Sequence, residues 1–275
     1  RLVVGESLIP RVMDHFDEAG LFQALDKMNF EKKLGARFIR GNEICVFDFS
    51  KKYGKGWDWT WQVPRADFDN TLAQEVINKG IDLEFETEVL EVKFNGKNSI
   101  TTVKDKNGEI KEIHAKYIID SSGYGRVLPR LLDLDTPSKL DPHSSIFTHV
   151  YDKNRPEGEE GTLISFDILE TEVWLWVIPF SNGNTSLGVV GPTNFINSLS
   201  KNNTEALKNA IYKSDYYIKR FGDVEFLFDP IKLENYSRSV KKMYGDGFVL
   251  TGNSSEFLDP VFSSGVAFAT ESGML

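Results

Sequence analysis

Residues 247–266 of the chain read GFVLTGNSSEFLDPVFSSGV, and this stretch decides the fold. It predicts a short apolar strand over Gly247–Thr251, a loop rich in Gly and Ser, and a helix from about Ser264. The first turn of a helix has unpaired N–H groups and partial positive charge, so small residues there let an anion or a polar ring edge approach the backbone. An ordinary Gly/Ser-rich loop with an N-cap is the alternative.

Two other stretches have the form of ligand-binding turns. Tyr117–Asp120 is an apolar run typical of a buried strand, and it ends in the turn Ser121–Gly123. Open α/β folds bind their ligands at such carboxyl ends of strands. Arg65 stands directly before a helix predicted over Ala66–Asn78, where a guanidinium could clamp phosphate or ribityl oxygens. A plain turn and a surface arginine remain open as alternatives.

Taken in order, the three stretches resemble motifs of the FAD-dependent aromatic-hydroxylase (p-hydroxybenzoate hydroxylase-like) superfamily. In that superfamily an Arg-x-x-Phe/Leu-Asp-x-x-Leu helix start, an Asp-x-x-Gly turn and a late Gly-Asp…Pro…Gly segment surround one FAD. The counterparts here are Arg65–Leu72, Asp120–Gly123 and Gly252–Gly265. Asn253 replaces the usual Asp, and its amide can still bond a ribityl hydroxyl. The resemblance spans nearly the whole chain and implies that the three stretches bind one FAD.

The segment Trp174–Pro179 narrows the resemblance. Its sequence, WLWVIP, is similar to the Trp-x-Trp-x-Ile-Pro signature of the flavin-dependent halogenases. Two indoles two residues apart lie on one side of a strand and form a broad apolar wall. Beside a flavin the wall would exclude water and bulky substrates from C4a; the indoles could equally fill the core between sheet and cofactor. The substrate pocket that the resemblance implies consists of Trp174, Trp176, Ile178, Pro179 and Phe262.

The stretch Gly5–Pro10, sequence GESLIP, resembles a strap that lies beside the flavin in halogenases. Lys33 then falls on a lysine that heads a strand at the halogenase pocket. The role proposed for that lysine in the family is to hold hypohalous acid, by hydrogen bonding or as a chloramine, and to deliver halogen to an aromatic carbon. The triplet Glu31–Lys33 is also typical of a surface in water. Lys33 is the catalytic residue that the resemblance predicts.

The residues predicted to bind FAD come from the strap and from the three stretches. They are Glu6, Ser7, Arg65, Asp120, Gly123, Gly252, Asn253, Asp259, Pro260, Ser263, Ser264, Gly265 and Val266. No metal site is predicted, because the four His show no metal-ligand spacing and the chain has one Cys. No Gly-x-Ser-x-Gly elbow frames a serine nucleophile.

The predicted fold class is α/β. A Rossmann-like FAD-binding domain of the glutathione-reductase type (residues 1–33, 65–135 and 237–275) is interleaved with an antiparallel β-sheet substrate domain (residues 34–64 and 136–236). The family's Gly-x-Gly-x-x-Gly loop would precede Arg1, so the N-terminal βαβ unit is expected to be missing from this sequence.

Apolar periodicity and turn residues predict the remaining elements. They indicate a helix from Pro10 to about Phe30, a strand over Asp82–Phe85 and a helix near Thr204–Phe221. Asn107-Gly108 predicts a hairpin. Long strands are expected between about Pro137 and Tyr236.

Composition excludes several classes of function. A net charge of −9 argues against binding to nucleic acid or to an anionic membrane. A lone Cys45 allows no internal disulfide and indicates a reducing compartment. No apolar run approaches the roughly eighteen residues of a membrane-spanning helix, so we expect no stable membrane insertion and a cytoplasmic protein.

The reaction implied by the resemblance is halogenation of an aromatic compound through a flavin C4a-hydroperoxide and hypohalous acid. Halide would bind near the Ser263–Gly265 backbone, and a separate flavin reductase would be the partner. The sequence of Phe257–Gly265 resembles that of halogenases acting on phenols and carrier-bound pyrroles. An aromatic hydroxylase or a geranylgeranyl-reductase-like alkene reductase would share this architecture without Lys33 chemistry, and a flavin-binding module without turnover is a third reading.

Overall fold

The computed structural model describes residues 4–257 and 260–275 and has a mixed α/β fold. It divides into two compact units. The first comprises the residues up to Leu72 together with Asp141–Tyr236, and the second comprises Ala73–Leu140 together with the residues from Ser237 onward. The assignment of an FAD-binding and a substrate domain to particular ranges stays a prediction.

The elements of the first unit are nine strands and most of the helices described in the chain. They are α1 (Arg11–Glu18), α2 (Phe22–Asp26), β1 (Glu31–Lys33), β2 (Gly35–Arg40), β3 (Glu43–Asp48), β4 (Thr60–Gln62), α3 (Arg65–Asn78, which continues into the second unit), β10 (His143–Tyr151), β11 (Ile164–Glu170), β12 (Val173–Pro179), β13 (Asn184–Pro192), α5 (Thr193–Leu199), α6 (Asn203–Tyr212), α7 (Ile218–Phe221) and β14 (Ile231–Glu234).

The elements of the second unit are mostly short strands. They are β5 (Glu88–Asn95), β6 (Asn98–Lys104), β7 (Ile110–Ala115), β8 (Ile118–Asp120), α4 (Val127–Leu131), β9 (Asp135–Pro137), β15 (Arg238–Val240), β16 (Tyr244–Gly245), β17 (Phe248–Leu250) and α8 (Gly265–Met274).

A seven-stranded sheet organises the first unit, in the order β14-β10-β13-β12-β11-β2-β3. All its pairings are antiparallel except that between β11 and β2. All seven residues of β12 are buried, because both faces of this central strand are covered. One face carries Leu175 and Val177, which pack with residues of α5, α6 and α7 in the main apolar core. The expected long strands between Pro137 and Tyr236 are confirmed.

A row of aromatic side chains crosses the opposite face of this sheet. Strand register aligns Phe38, Phe166, Trp176, Gly188 and Phe147 on neighbouring strands. The rings of Phe38 and Phe166 stack with centroids 5.1 Å apart. The rings of Trp176 and Phe147 meet across Gly188 at 6.0 Å, because glycine leaves the space between them empty.

The second unit holds two small sheets that matter for the predicted site. Strands β5, β6 and β7 form an antiparallel meander, and the Asn107-Gly108 hairpin is confirmed between β6 and β7. Strand β17 pairs with β8 in parallel, which brings the ends of both strands, Leu250 and Asp120, side by side. Their carboxyl ends therefore open into neighbouring loops.

Three predictions of secondary structure are wrong. The helix predicted from Pro10 to Phe30 is two helices, because Gly20 adopts a φ of +65° after α1 and the chain turns. The helix predicted near Thr204–Phe221 is likewise divided into α6 and α7, and the Ser214 side chain between them caps Tyr217 N. No strand forms over Asp82–Phe85, where the backbone has no sheet partner among the described residues.

In the part of the chain that the structure describes, no helix is both long and apolar enough to cross a membrane.

We predict that Gly188→Ala destabilises the protein by about 2 kcal/mol, because overpacking a filled core forces side chains and backbone to move. A Cβ at this position would lie 2.4 Å from the Trp176 ring and 2.7 Å from Phe147 Cβ. Urea unfolding measures the effect. Gly54→Ala is the control, since nothing lies within 4 Å of a Cβ there; equal stability of the two variants would contradict the packing argument.

Candidate functional site in the first unit and its relatives

Lys33 is buried, whereas its neighbour Lys32 is exposed. The alternation of side chains along β1 explains the difference, because successive residues of a strand point to opposite faces. Lys33 Nζ donates hydrogen bonds to Ser7 Oγ at 2.8 Å and to Leu8 O at 2.7 Å. It also lies 5.5 Å from the centroid of the Phe49 ring. The alternative of a lysine in water is wrong for Lys33 and right for Lys32.

Burial lowers the pKa of Lys33 from 10.5 to about 7. Removing an ammonium from water disfavours its charged form, and no carboxylate pairs with this one in the described structure. Protonated, Nζ has three N–H donors, of which Ser7 and Leu8 take two. Deprotonated, it has two N–H donors and a lone pair. In either state one hydrogen-bonding position on the nitrogen has no partner among the described residues, and near neutral pH both states are populated.

The strap residue Glu6 is buried and pairs with His149, a residue that the sequence analysis did not identify. Glu6 Oε1 lies 2.6 Å from His149 Nε2. His149 lies on β10 on the same face as Phe147, and its ring packs edge-on against Phe180 and Phe228. The sequence did not predict this pair, because a single histidine in an apolar strand gives no indication of its partner.

Three buried oxygens around the strap have no hydrogen-bond partner among the described residues: Glu6 Oε2, Thr60 Oγ1 and Gln62 Oε1. Thr60 pairs with Lys33 across the β1–β4 ladder, and Gln62 bridges to Ser7. Buried polar atoms are normally paired, so each of these oxygens has the capacity to accept a hydrogen bond from a bound molecule.

Arg65 contacts the chain just before the strap. Its NH1 donates to Val4 O at 3.0 Å and to Gly5 O at 3.5 Å, and its Nε and NH2 bond the Asp69 carboxylate. Gly5 has a φ of +98°, and a Cβ there would lie 3.2 Å from the guanidinium. Arg65 therefore fixes the entry to the strap, and its predicted contact with FAD stays a prediction.

The predicted apolar wall lies on β12. Trp174 and Trp176 are both buried on the face of the aromatic row, and Trp176 Nε1 donates to Ser186 Oγ at 3.1 Å. Ile178 lies on the same face, and Pro179 O accepts a hydrogen bond from Gln62 Nε2 at 3.1 Å. This hydrogen bond joins the end of the wall to β4, the strand that pairs with Lys33 on β1. The role of these residues as a substrate pocket stays a prediction.

In the second unit, Asp120 organises the turn after β8. Its Oδ1 accepts from Ser122 N and its Oδ2 accepts from Leu128 N, both at 2.7 Å. Gly123 adopts a φ of +56° in this turn. The carboxylate is thus committed to its own loop. The turn lines a cavity of about 210 Å³ together with Val89, Val92 and other residues.

Arg126 ties this turn to the Gly252 loop and was missed by the sequence analysis. Its side chain is nearly buried and pairs with Asp135 at 2.5 Å. Its NH1 donates to Asn253 O at 3.2 Å and its NH2 to Ser239 O at 2.9 Å. Gly252 has a φ of +53°, and a Cβ there would lie 2.9 Å from Ala269 Cβ on α8. The late motif is therefore held both by an arginine and by close packing.

The start of α8 contains the small residues predicted to bind an anion. Ser264 caps the helix without a side-chain hydrogen bond, Ser263 has a φ of +57°, and nothing lies within 4 Å of a Cβ built at Gly265. Pro260 O accepts from Ser263 N, and Val266 O accepts from Thr270 Oγ1. Phe262 is 71% exposed. Asp259 lies outside the described residues.

The family model described as tryptophan halogenase matches residues 48–274. The chain belongs to the tryptophan halogenase family. The matched stretch contains Arg65, the Asp120 turn, the tryptophan wall and the Gly252 loop. It begins after the strap and Lys33, so the roles of those residues do not rest on it.

Curated relatives of this halogenase family cover almost the entire chain. A 1H-pyrrole-2-carbonyl-[peptidyl-carrier protein] chlorinase of Pseudomonas fluorescens is 30% identical over 99% of the chain and 66% of its own length. A 1H-pyrrole-2-carbonyl-[peptidyl-carrier protein] brominase of Pseudoalteromonas luteoviolacea is 27% identical over 100% of the chain and 67% of its own length. The chain thus spans about two thirds of these relatives.

A solved structure is more similar still. The crystal structure of a flavoprotein/dehydrogenase from Cytophaga hutchinsonii has 50% sequence identity and a TM-score of 0.96. The match covers 99% of the chain and 67% of that protein.

We predict that the unfolding free energy of the wild-type protein rises relative to Lys33→Met between about pH 7 and pH 10, on the order of a few kcal/mol. In this window folded Lys33 has lost its proton, because burial lowers its pKa to about 7, while the unfolded chain retains one up to about pH 10.5. More protons bound to the unfolded state make stability increase with pH.

Urea unfolding at several pH values measures this difference. The matched control is Lys32→Met, which removes an exposed charge from the same strand and should follow the wild-type pH dependence. Parallel curves for Lys33→Met and wild type would show that the Lys33 pKa is not lowered.

Proposed function

We propose that the protein is an FAD-dependent halogenase acting on an aromatic, phenol- or pyrrole-like substrate, with Lys33 as its catalytic residue. The observation that carries the proposal is the buried Lys33 amine, held by Ser7 Oγ and Leu8 O with one hydrogen-bonding position that has no partner among the described residues. Membership of the tryptophan halogenase family supports the same reaction.

The residues present fit FAD in each unit taken by itself. In the first unit, the unpaired oxygens of Glu6, Thr60 and Gln62 are acceptors suited to a ring N–H or to ribityl hydroxyls. In the second unit, Ser264 and Gly265 open α8, whose first N–H groups suit an anion or a carbonyl edge. We propose that residues 1–33, 65–135 and 237–275 form the FAD-binding domain and that residues 34–64 and 136–236 form the substrate domain.

When bound, reduced FAD would supply two electrons and halide would supply two more, which together reduce O2 to one water and one hypohalous acid. The chain would then handle that acid through Lys33. As an ammonium, Nζ donates its third N–H to the oxygen of hypohalous acid. As an amine, its lone pair bonds the halogen, the oxygen–halogen bond breaks, and the departing hydroxide takes a proton from Nζ and leaves as water. A pKa of about 7 makes both states accessible at neutral pH.

The surroundings of Lys33 hold its nitrogen in position and shield it from solvent. Ser7 and Leu8 fix the position of Nζ, the Phe49 ring lies 5.5 Å from it, and Lys33 is buried from water. The Glu6–His149 pair holds the strap that carries both acceptors. A separate flavin reductase would be the partner, and the relatives that act on carrier-bound pyrroles favour a tethered substrate.

We predict that Lys33→Met lowers halogenation by at least about a hundredfold and leaves FAD affinity unchanged, because Lys33 handles the proton and halogen rather than the cofactor. The assay combines the purified protein with reduced FAD, O2, bromide or chloride, and a panel of phenols and pyrroles. Lys32→Met is the control and should retain activity.

Three results would reject the proposal. They are hydroxylation that does not need halide, reduction of an alkene without O2, and purified protein that has no affinity for flavin. The first two would identify a hydroxylase or a reductase, and the relative described as a flavoprotein/dehydrogenase makes the reductase the competitor to test first.

A further inference from the structure

The strand β3 exposes apolar side chains on both of its faces. Ile44, Val46 and Phe47 are 51%, 54% and 60% exposed. The strand lies at the edge of the seven-stranded sheet and pairs only with β2 among the described strands, so its outer row of N–H and C=O groups is open. Exposed apolar side chains on an open edge strand are typical of a surface that binds another protein.

The loop after β3 adds positive charge to this strand. Residues 40–55 contain four basic and two acidic side chains, whereas the whole chain has a net charge of −9. Lys51, Lys52 and Lys55 are exposed, and so is the whole side chain of Tyr53. A local basic surface attracts a partner with negative charge.

This surface, which we call the β3 surface (residues 40–55), adjoins the predicted catalytic amine. Phe47 and Phe49 lie on the face of the strand that carries the aromatic row, and their ring centroids are 6.0 Å apart. Phe49 in turn lies 5.5 Å from Lys33 Nζ. An apolar path therefore leads from the exposed Phe47 ring to Lys33.

We propose that the β3 surface docks an acidic carrier domain, which presents an aromatic acyl group on its flexible arm to Lys33. This inference rests on the proposed halogenase function and names the partner of the same site. A free phenol or pyrrole would need neither an open apolar strand nor three exposed lysines. A carrier uses both, because apolar contact gives affinity and complementary charge gives orientation and rate.

The test is a binding titration. An acidic carrier domain charged with a pyrrole-2-carbonyl thioester and labelled with a fluorophore is titrated with the protein, and its anisotropy is followed. The triple variant Lys51→Glu, Lys52→Glu, Lys55→Glu should weaken binding by about tenfold or more. The matched control, Lys97→Glu, Lys106→Glu, Lys116→Glu, carries the same charge change on exposed residues of the second unit and should bind as wild type.

Cys45 lies on the β3 surface, and chemical modification of its thiol provides a second test of the inference. It is the one cysteine of the chain and is exposed on β3. A bulky maleimide on Cys45 should prevent carrier binding and leave turnover of an untethered phenol unchanged. Any of three results would overturn the inference. The first is equal weakening of binding by both triple variants, and the second is undiminished binding after Cys45 is blocked. The third is sedimentation showing that the β3 surface joins two copies of the chain.

The outcomes separate this inference from the proposed function. Carrier binding that follows the β3 charges without any halogenation would reject the proposed reaction alone. Halogenation of free phenols or pyrroles with no measurable carrier binding would reject the docking surface alone.

Discussion

The buried amino group of Lys33 is the constraint on which the first unit depends. A lysine without a carboxylate partner is costly to bury, and here two strap oxygens, Ser7 Oγ and Leu8 O, provide its hydrogen bonds. The strap must therefore keep its position for Lys33 to stay inside. Arg65 holds the start of the strap through Val4 O, and His149 holds it through Glu6. The site is thus built from contacts between residues far apart in sequence, each of which limits the others.

The second unit achieves the same rigidity by different means. Asp120 satisfies two backbone N–H groups of its own loop, and Arg126 joins that loop to the carbonyl groups of Asn253 and Ser254. The two turns that follow β8 and β17 are therefore one hydrogen-bonded assembly. Nothing lies within 4 Å of a Cβ built at Gly265 at the start of α8 or at Gly123 in the Asp120 turn, so the backbone at both positions has space beside it.

Much of this arrangement could be predicted from local sequence, and the rest depended on contacts across the chain. The Trp174–Pro179 strand, the Asn107-Gly108 hairpin and the Arg65 helix have strong local signals, namely alternation, turn chemistry and a helix start. The helix predicted from Pro10 onward was too long, because Gly20 ends it in a left-handed conformation that apolar periodicity does not report. Arg126 is recognised through its contact with Asn253 and His149 through its contact with Glu6, and both of these partners lie more than a hundred residues away. Lys33 was identified as a candidate catalytic residue by resemblance to a family, whereas its burial was recognised only in the folded structure.

Gly188, beneath the Trp176 indole, limits which substitutions the neighbouring positions accept. Phe147 and Trp176 share the volume that a side chain at Gly188 would occupy, so the three positions form one steric unit across three strands. A smaller ring at Trp176 opens a void unless position 188 gains a methyl group at the same time. Variation of the wall therefore has to proceed through coupled substitutions, and a library that samples these positions one at a time would miss the combinations that keep the sheet packed.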